Sequence, residues 1–360
     1  MKEEKCGGDS RSSCVVMVDF TTSGCKRAPV LLFRPKVGNN APVPLAWPAK
    51  SRVCDEPNWE DHGSSTGEAC PDFLCIGSQK GGTSWLFHQL TLHPDFWMPP
   101  IKELHYFDSL SRVNRRNHPR CRDERDQWFL ARLVELSALP NVDLGAYSRL
   151  FAAKKALLSG DITPAYSTLK DELVEKIVGY FPNLKVIFLA RDPVDRAWSQ
   201  LSMGVRLGNI GPFESTNPDD VLRNLRSPGV LSRSYPSKIV RRWRRYVRPD
   251  LFRVYFFDDL KENPSGLRRA ILSFLGADPD KPSGPLNADY NGQAGREKLR
   301  LTDRVRSALA EFFKDELKAS ATELGGPARN WPARYGFSFF VFFAQLLEDF
   351  DILLWCERLI

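Results

Sequence analysis

Apolar and polar positions along this chain follow two alternating patterns. Short runs of apolar and β-branched residues predict buried β-strands at 72–77, 156–160, 185–190 and 251–257. Between these runs, apolar positions recur at the spacing of an amphipathic helix. This spacing predicts helices over Trp85–Leu92, Asp171–Phe181, Pro236–Val247 and Ser265–Leu275. Because strands alternate with helices, we expect an α/β fold with a parallel sheet that carries helices on both faces.

The first predicted strand ends in a glycine-rich turn that restarts as a helix. The segment reads Gly77-Ser78-Gln79-Lys80-Gly81-Gly82-Thr83-Ser84-Trp85. Backbone N–H groups in such a turn point at one spot, and the helix N-terminus adds about half a positive charge, so the segment predicts a phosphate site beside Lys80. It departs from the phosphate loop of nucleoside triphosphatases, in which the lysine follows the second glycine and a hydroxyl follows the lysine. An ordinary tight turn is the alternative.

A second strand-to-helix junction follows the third predicted strand and reads Arg191-Asp192-Pro193-Val194-Asp195-Arg196-Ala197-Trp198-Ser199. Pro193 suits the first turn of a helix, and Asp192 suits the N-cap. Ligands of parallel sheets bind at the carboxyl ends of the strands, so Arg191 is placed for a second phosphate. Ser199 adds a hydroxyl two helical turns later. The alternative for Arg191 is an ion pair with a neighbouring carboxylate.

Together these two segments resemble the sulfotransferase family, whose donor is 3′-phosphoadenosine 5′-phosphosulfate (PAPS). The family's K-G-G-T-[ST] loop holds the 5′-phosphosulfate, which implies a cofactor-binding role for Lys80, Gly81, Gly82, Thr83, Ser84 and Trp85. Its R-x-P-x-x-R-A-x-S element holds the 3′-phosphate, which implies the same role for Arg191 and Ser199. Family members close a basic loop over the cofactor, and Arg296 is the candidate here. The likeness spans residues 71–335 and leaves out both ends.

The segment Lys102-Glu103-Leu104-His105-Tyr106-Phe107-Asp108 resembles the K-E-P-H-[FY]-F-D pattern of the branch with heparan sulfate and many bacterial sulfotransferases. The resemblance implies Glu103 as the general base, supported by His105 and Asp108. The chemistry alone leaves Glu103 and His105 open, since either side chain can take the proton of an acceptor hydroxyl. In extended chain the two side chains would share a face. A surface carboxylate paired with Lys102 is the alternative for Glu103.

A further segment, Gly160-Asp161-Ile162-Thr163-Pro164-Ala165-Tyr166, resembles the family's G-E-x-[ST]-P-x-Y pattern. Ile162 stands where polysaccharide-modifying members often have lysine, which argues against a long glycan as acceptor. The combined prediction is a P-loop-like α/β enzyme with one catalytic domain. It moves a sulfuryl group from PAPS to a hydroxyl or amine of a small-molecule or saccharide acceptor and releases 3′,5′-ADP, with Lys80 stabilising the leaving phosphate.

Two other function classes share parts of this pattern. A P-loop-like kinase would require magnesium and a lysine after the second glycine, whereas Lys80 comes first. A non-catalytic nucleotide-binding module would keep the phosphate-binding turn but would not need Glu103 and His105. No metal is expected, because a sulfuryl group carries less charge than a phosphoryl group and no hydroxyl is in register for magnesium.

The net charge of +7 owes much to a cluster of arginines with aromatic neighbours at residues 241–248. On a helix, Ile239, Trp243 and either Tyr246 or Val247 fall on one side and the arginines mostly on the others, which is typical of a core-facing stripe with a solvated face. A surface that attracts an acidic substrate or the cofactor is one alternative, and a nucleic-acid surface is another. We expect no nucleic-acid partner.

The two ends of the chain differ from its middle. Residues 1–70 are irregular, rich in Pro, Gly and Ser, and hold five of the eight cysteines without a C-x-x-C pair, so we expect an extension with no zinc site. We expect reduced thiols because no signal peptide is apparent; disulfides in an oxidising compartment are the alternative. Residues 336–360 are aromatic-rich and favour a helix packed on the domain over one at a membrane or partner surface. No signal peptide or anchor is apparent, which favours the cytoplasm; the Golgi lumen is the alternative if an anchor has been removed. The pattern does not indicate an oligomeric state.

Overall fold

A four-stranded parallel sheet forms the centre of the protein in a computed structural model, which describes residues 69–109, 121–282 and 299–337. Its strands are β1 (Phe73–Gly77), β2 (Gly160–Ile162), β3 (Lys185–Ala190) and β4 (Phe252–Phe256). The spatial order is β2-β1-β3-β4, and every neighbouring pair is parallel. The predicted α/β fold is therefore confirmed.

Helices connect the strands and continue beyond the last one. The α-helices of the described residues are α1 (Thr83–Thr91), α2 (Glu124–Ser137), α3 (Leu144–Leu150), α4 (Asp171–Tyr180), α5 (Pro193–Arg206), α6 (Pro218–Leu225), α7 (Pro228–Leu231), α8 (Pro236–Arg244), α9 (Phe257–Glu262), α10 (Pro264–Leu275), α11 (Asp303–Phe312) and α12 (Lys314–Leu324). Short 3₁₀ helices include Pro164–Thr168 and Pro332–Tyr335.

Alternate residues of the central strands face opposite sides of the sheet, and an apolar cluster covers each side. Leu74 and Val186 belong to a large apolar cluster shared with α2–α8, α11 and α12. Phe73 and Ile187, their neighbours in sequence, belong to a second cluster shared with α1 and α10. Burial on both faces explains why the central strands read as continuous apolar runs.

The second strand lies later in the chain than predicted. The sequence predicted a strand at 156–160, but β2 begins only at Gly160. Ala156 is exposed, and Leu158 forms an isolated parallel bridge with Phe96. A Cβ on Gly160 would lie 2.4 Å from the carbonyl oxygen of Phe73, so the close approach of β2 to β1 requires glycine. The apolar run before Gly160 therefore placed the predicted strand too early in the chain.

The other predicted elements agree with the structure to within a few residues. The helix predicted to end at Val247 ends at Arg244. Its core-facing stripe is confirmed, since Ile239, Trp243 and Val247 are all buried. Four of the arginines pair with carboxylates of other segments: Arg241 and Arg244 with Glu323, and Arg242 and Arg245 with Asp171. Arg248 pairs locally with Asp250.

Several predictions fall on residues that the structure does not describe. Arg296, residues 1–68 and residues 338–360 lie outside the described ranges, so the domain boundaries and the roles given to both ends stay predictions. In the part of the chain that is described, no helix has the length and apolar character needed to cross a membrane.

Candidate active site

The predicted functional segments line up along one edge of the sheet. The glycine-rich turn, residues 77–82, follows the carboxyl end of β1, and Arg191 follows that of β3. Phe257 follows β4 at the start of α9. In parallel sheets this edge is where ligands bind, so the topology brings segments from distant parts of the sequence to one place.

Ser78 fixes the glycine-rich turn against β3. Its backbone N–H and its hydroxyl both donate to the Leu189 carbonyl, at 2.9 Å and 2.8 Å. A Cβ on Gly81 would lie 2.5 Å from that same carbonyl oxygen, so a side chain does not fit there. Lys80 and Gly82 have positive φ angles of 70° and 101°. The turn is thus a tight cradle whose shape depends on its glycines.

The N-terminus of α1 opens directly from this cradle. The first intrahelical hydrogen bond runs from the Leu86 N–H to the Gly82 carbonyl, so the N–H groups of Thr83, Ser84 and Trp85 are left for another acceptor. Gly82, the N-cap, has no side chain that could fill this role. The Trp85 side chain packs in the apolar cluster beside Phe73, so Trp85 offers a ligand its backbone alone.

Arg191 connects the two predicted phosphate-binding segments. Its Nη1 donates to the Lys80 carbonyl at 2.8 Å, and its guanidinium carbon lies 4.2 Å from the centroid of the Phe257 ring. Its Nε is buried without a hydrogen-bond partner among the described residues. Among the described residues, Arg191 forms no ion pair with a carboxylate. The ion pair given as the alternative for Arg191 is therefore not observed there. Burial lowers the pKa of Arg191, because it disfavours the charged guanidinium. A bound anion would offset the cost of burying that charge.

Two further arginines lie near the predicted phosphate-binding segments. Arg196 is the second arginine of the R-x-P-x-x-R-A-x-S element, whereas no local pattern pointed to Arg233. Arg233 Nη1 donates to Gln79 Oε1 at 2.8 Å, across 154 residues of sequence. Arg196 is buried and donates to Gln200 and to the Val230 carbonyl. Burial, followed by the charges of Arg233 and Arg191, lowers the pKa of Arg196 to about 9. Clustered guanidinium groups create a positive potential that attracts anions.

The other predicted residues of this half of the site lie nearby in the fold. Lys80 Nζ is 3.8 Å from the sulfur of Met203 in α5. Asp192 caps α5 by accepting from the Val194 N–H at 2.9 Å, and Pro193 is the first residue of that helix, as predicted. Ser199 lies in α5 and is partly buried.

The acidic segment brings its charged side chains into one chain of contacts. Lys102 Nζ lies 2.5 Å from Glu103 Oε1, and His105 Nε2 lies 3.5 Å from Glu103 Oε2. The other ring nitrogen, His105 Nδ1, lies 2.9 Å from Asp108 Oδ2. The extended backbone expected here was wrong, because Glu103 and His105 have φ angles of 66° and 57°. Their side chains converge through left-handed turns.

These contacts fix the ionisation of the acidic segment. Burial alone would raise the pKa of Glu103, but the charge of Lys102 and the hydrogen bond from His105 outweigh it and lower the pKa to about 2. Burial alone would lower the pKa of His105, but hydrogen bonds to Asp108 and Glu103 raise it to about 9. At neutral pH Glu103 is therefore a carboxylate and His105 an imidazolium.

A buried network ties the acidic segment to β2. Asp161, in the middle of β2, is 1% exposed and accepts from the hydroxyls of Tyr166 at 2.6 Å and Tyr147 at 3.1 Å. The Tyr166 oxygen in turn accepts from the Tyr106 N–H at 3.1 Å. Leu104, in place of the pattern's proline, is buried between the two catalytic candidates. Ile162 is buried in β2.

The cradle and its arginines fit a ligand with two phosphate groups. One anion would meet Lys80 and the N-terminus of α1, where the N–H groups of Thr83, Ser84 and Trp85 precede the first intrahelical hydrogen bond. A second would meet Arg191, whose Nε has no partner within the described residues. In residues 69–109, 121–282 and 299–337, no group of three or more His, Cys, Asp or Glu side chains is arranged to hold a metal ion.

Comparison with known proteins decides the family. The model of the "Sulfotransferase family" matches residues 71–281, which include the glycine-rich turn, the acidic segment and Arg191. The chain belongs to the sulfotransferase family.

Relatives of this sulfotransferase share about a quarter or less of its residues. The human bifunctional heparan sulfate N-deacetylase/N-sulfotransferase 2 is 23% identical over 338 residues, which cover 81% of this chain and 35% of that protein. The human heparan sulfate glucosamine 3-O-sulfotransferase 5 is 23% identical over 286 residues, covering 73% of this chain and 74% of the relative. The chain thus spans about a third of the length of its bifunctional relatives.

A solved sulfotransferase structure from Alicyclobacillus acidocaldarius shares the fold. The TM-score is 0.54 at 23% identity, and the match covers 73% of this chain and 99% of that one. This likeness supports the α/β architecture of the sulfotransferase described above.

A cavity of about 470 Å³ opens beside the acidic segment of this sulfotransferase. Phe107, Leu169 and Leu173 give it an apolar lining, while Asp108 and Lys170 place charges at it. Since Asp108 also contacts His105, the cavity adjoins the Glu103 cluster. Its residues come from two segments that the sequence did not connect.

Proposed function

We propose that this sulfotransferase transfers a sulfuryl group from PAPS to a hydroxyl or amine of an acceptor. The observation that carries this proposal is the hydrogen bond from Arg191 to the Lys80 carbonyl, which joins the two predicted phosphate-binding segments at one sheet edge. When bound, PAPS supplies the sulfuryl group and leaves as 3′,5′-ADP. The spacing of a 5′-phosphosulfate and a 3′-phosphate calls for two adjacent anion sites.

Lys80 and the α1 N-terminus serve the 5′ side of the site in this proposal. Negative charge grows on the leaving oxygen as its bond to sulfur breaks, and a preorganised ammonium with backbone N–H groups stabilises that charge without further reorganisation. Arg191 and Ser199 serve the 3′-phosphate, with Phe257 holding the guanidinium plane in place. Arg296, which lies outside the described residues, stays a prediction as a further phosphate ligand.

Glu103 is the better candidate for the general base. A base must be unprotonated, and at neutral pH the pKa of about 2 keeps Glu103 ionised. His105, with a pKa of about 9, is already protonated and can only donate. Asp108 keeps that imidazolium charged and oriented towards Glu103. Displacement of Lys102 by an acceptor would raise the pKa of Glu103 towards a value suited to proton transfer.

The acceptor class follows less directly from the chain. Two relatives are named for heparan sulfate, which makes a saccharide one acceptor class for this enzyme. The cavity beside Asp108 also suits a small molecule, because its lining is mostly apolar with a few charged groups. A screen should therefore contain both glycans and small alcohols, phenols and amines. Cytoplasmic location, absence of a metal requirement and absence of a nucleic-acid partner stay predictions.

Calorimetric titration with 3′,5′-ADP in EDTA tests the proposal, with ATP as the control. We expect metal-free binding of 3′,5′-ADP and weak binding of ATP, which would justify an acceptor screen with labelled PAPS. Failure to bind either nucleotide would contradict the sulfotransferase activity of this chain. Binding of ATP that requires magnesium would instead favour the kinase.

A further inference from the structure

A short C-terminal segment, residues 331–335, lies across the carboxyl ends of β3 and β4. Arg334 Nη1 is 3.5 Å from Asp192 Oδ2, and its Nη2 is hydrogen-bonded to Asp258 Oδ1. Asp192 directly follows Arg191, and Asp258 directly follows Phe257. One arginine therefore bridges the two residues next to the Arg191–Phe257 stack.

Neighbours of Arg334 reinforce the same bridge. The Tyr335 hydroxyl donates to Asp192 Oδ2 at 2.9 Å, and Trp331 Nε1 donates to Asp258 Oδ2 at 3.3 Å. Trp331 is fully buried and packs edge-on against Phe256 of β4. The segment is thus anchored in the core, and its contacts converge on two carboxylates.

Those carboxylates act against anion binding unless they are neutralised. Burial lowers the pKa of Arg191, and the nearby charges of Asp195, Asp192 and Asp258 act in the opposite direction. Such carboxylates also repel a phosphate that approaches Arg191. Arg334 contacts Asp192 and Asp258, and Arg306 of α11 lies 3.7 Å from Asp195. Both cations come from residues 299–337, beyond the 71–281 match to the family.

We propose that Arg334 is a positioning residue of the nucleotide site, which neutralises Asp192 and Asp258 and so leaves the charge of Arg191 available to the ligand's 3′-phosphate. This inference rests on the proposed function. The inference goes beyond the proposed function because it makes residues 331–335 part of the phosphate site. Arg334 acts through Asp192 and Asp258, and therefore through Arg191.

The test compares two nucleotides that differ at the 3′ position. In Arg334→Gln we expect the Kd for 3′,5′-ADP to rise about tenfold, the scale of one uncompensated charge at a partly exposed site. The Kd for 5′-AMP, which lacks the 3′-phosphate, should change less than about twofold. Arg269→Gln is the matched control, because Arg269 is an exposed arginine paired with Asp280 away from this edge. It should leave both affinities unchanged.

A second pair of variants separates charge from packing. Asp258→Asn added to Arg334→Gln removes one of the two uncompensated carboxylates and should recover part of the lost affinity for 3′,5′-ADP. Arg334→Lys keeps the charge and should lose less than Arg334→Gln. A purely structural role predicts the reverse for the double variant, in which the losses would accumulate and would be equal for both nucleotides.

The outcomes distinguish this inference from the function on which it rests. If the wild type binds 3′,5′-ADP and Arg334→Gln binds it equally well, or loses both nucleotides alike, the positioning role is wrong and the function stands. If the wild type does not bind 3′,5′-ADP, the proposed function fails and the role of Arg334 fails with it.

Discussion

Glu103 and His105 show how the site is built residue by residue. Both have a left-handed backbone, which is unfavourable for residues other than glycine and is typical of functional sites. The buried side chain of Leu104 lies between them, and the hydrogen bond from the Tyr106 N–H to Tyr166 follows them. The residue types predicted that these side chains would act together. The left-handed turns were not predicted, because no local pattern records the fold around them; the neighbouring Tyr106 N–H, for example, donates to Tyr166, sixty residues later.

Replacement of Glu103 tests its role as the base. In Glu103→Gln the hydrogen-bonding shape is kept but the carboxylate is lost, so we expect turnover to fall by roughly 10²-fold or more. The Kd for 3′,5′-ADP should stay near the wild-type value, because Glu103 does not belong to the anion site. Single-turnover kinetics with labelled PAPS and calorimetry measure the two effects. Glu135→Gln, an exposed glutamate of α2, is the control, and retained turnover in Glu103→Gln would move the base to another group.

The raised pKa of His105 predicts a pH-dependent stability. The pKa rises from an ordinary value of 6.5 to about 9 on folding, so the stabilisation is complete below pH 6.5 and is lost as the pH rises through 9. The loss is at most roughly 3 kcal/mol. Urea unfolding at pH 6.5 and pH 9.5 measures it. In His105→Gln this part of the pH dependence should disappear, and an unchanged slope would mean that other groups cause it.

At the scale of elements, strand-to-helix junctions were the most predictable part of the site. Glycine, proline and capping residues predicted the starts of α1 and α5, because those residues act through local backbone geometry. β2 was misplaced, since its position depends on the close approach of Gly160 to Phe73. The contact between Arg233 and Gln79 was not predictable either, because no local pattern links residues 154 apart in sequence.

The two glycines Gly81 and Gly179 make a matched pair for testing the cradle. In Gly81→Ala the new Cβ would lie 2.5 Å from the Leu189 carbonyl, so the turn must shift at a cost of about 1–3 kcal/mol and nucleotide binding should weaken. Gly179 lies in α4 with no atom within 4 Å of such a Cβ. Gly179→Ala should therefore stabilise the protein by about 1 kcal/mol without changing binding. Thermal unfolding and calorimetry test both, and normal binding by Gly81→Ala would show that the cradle tolerates a side chain.

At the scale of the whole molecule, the catalytic edge and the C-terminal helices depend on one core. The large apolar cluster includes residues of β1 and β3 together with Val305, Leu309 and Leu317 of α11 and α12. The same C-terminal region supplies Arg306 and Arg334 to the carboxylates around Arg191. The parallel sheet followed from the alternation of strands and helices. The return of residues 299–337 to the site did not, because it depends on tertiary packing that no motif records.

Trp331 is the residue whose replacement measures this dependence most directly. It is completely buried, packs on Phe256 of β4 and donates its indole N–H to Asp258. Trp331→Ala leaves a large cavity and removes one of the two partners of Asp258, the other being Arg334, so we expect the free energy of unfolding to fall by about 3–5 kcal/mol. Chemical denaturation should show one cooperative transition. Leu207→Ala is the control: this side chain is 54% exposed, so its removal should change the free energy of unfolding by less than about 0.5 kcal/mol. A small loss in Trp331→Ala, or a separate early transition, would mean that residues 299–337 fold apart from the sheet. In that case residues 299–337 would unfold at a lower denaturant concentration than the sheet. Arg334 would then separate from Asp192 and Asp258, and the affinity for 3′,5′-ADP would fall before the sheet unfolds.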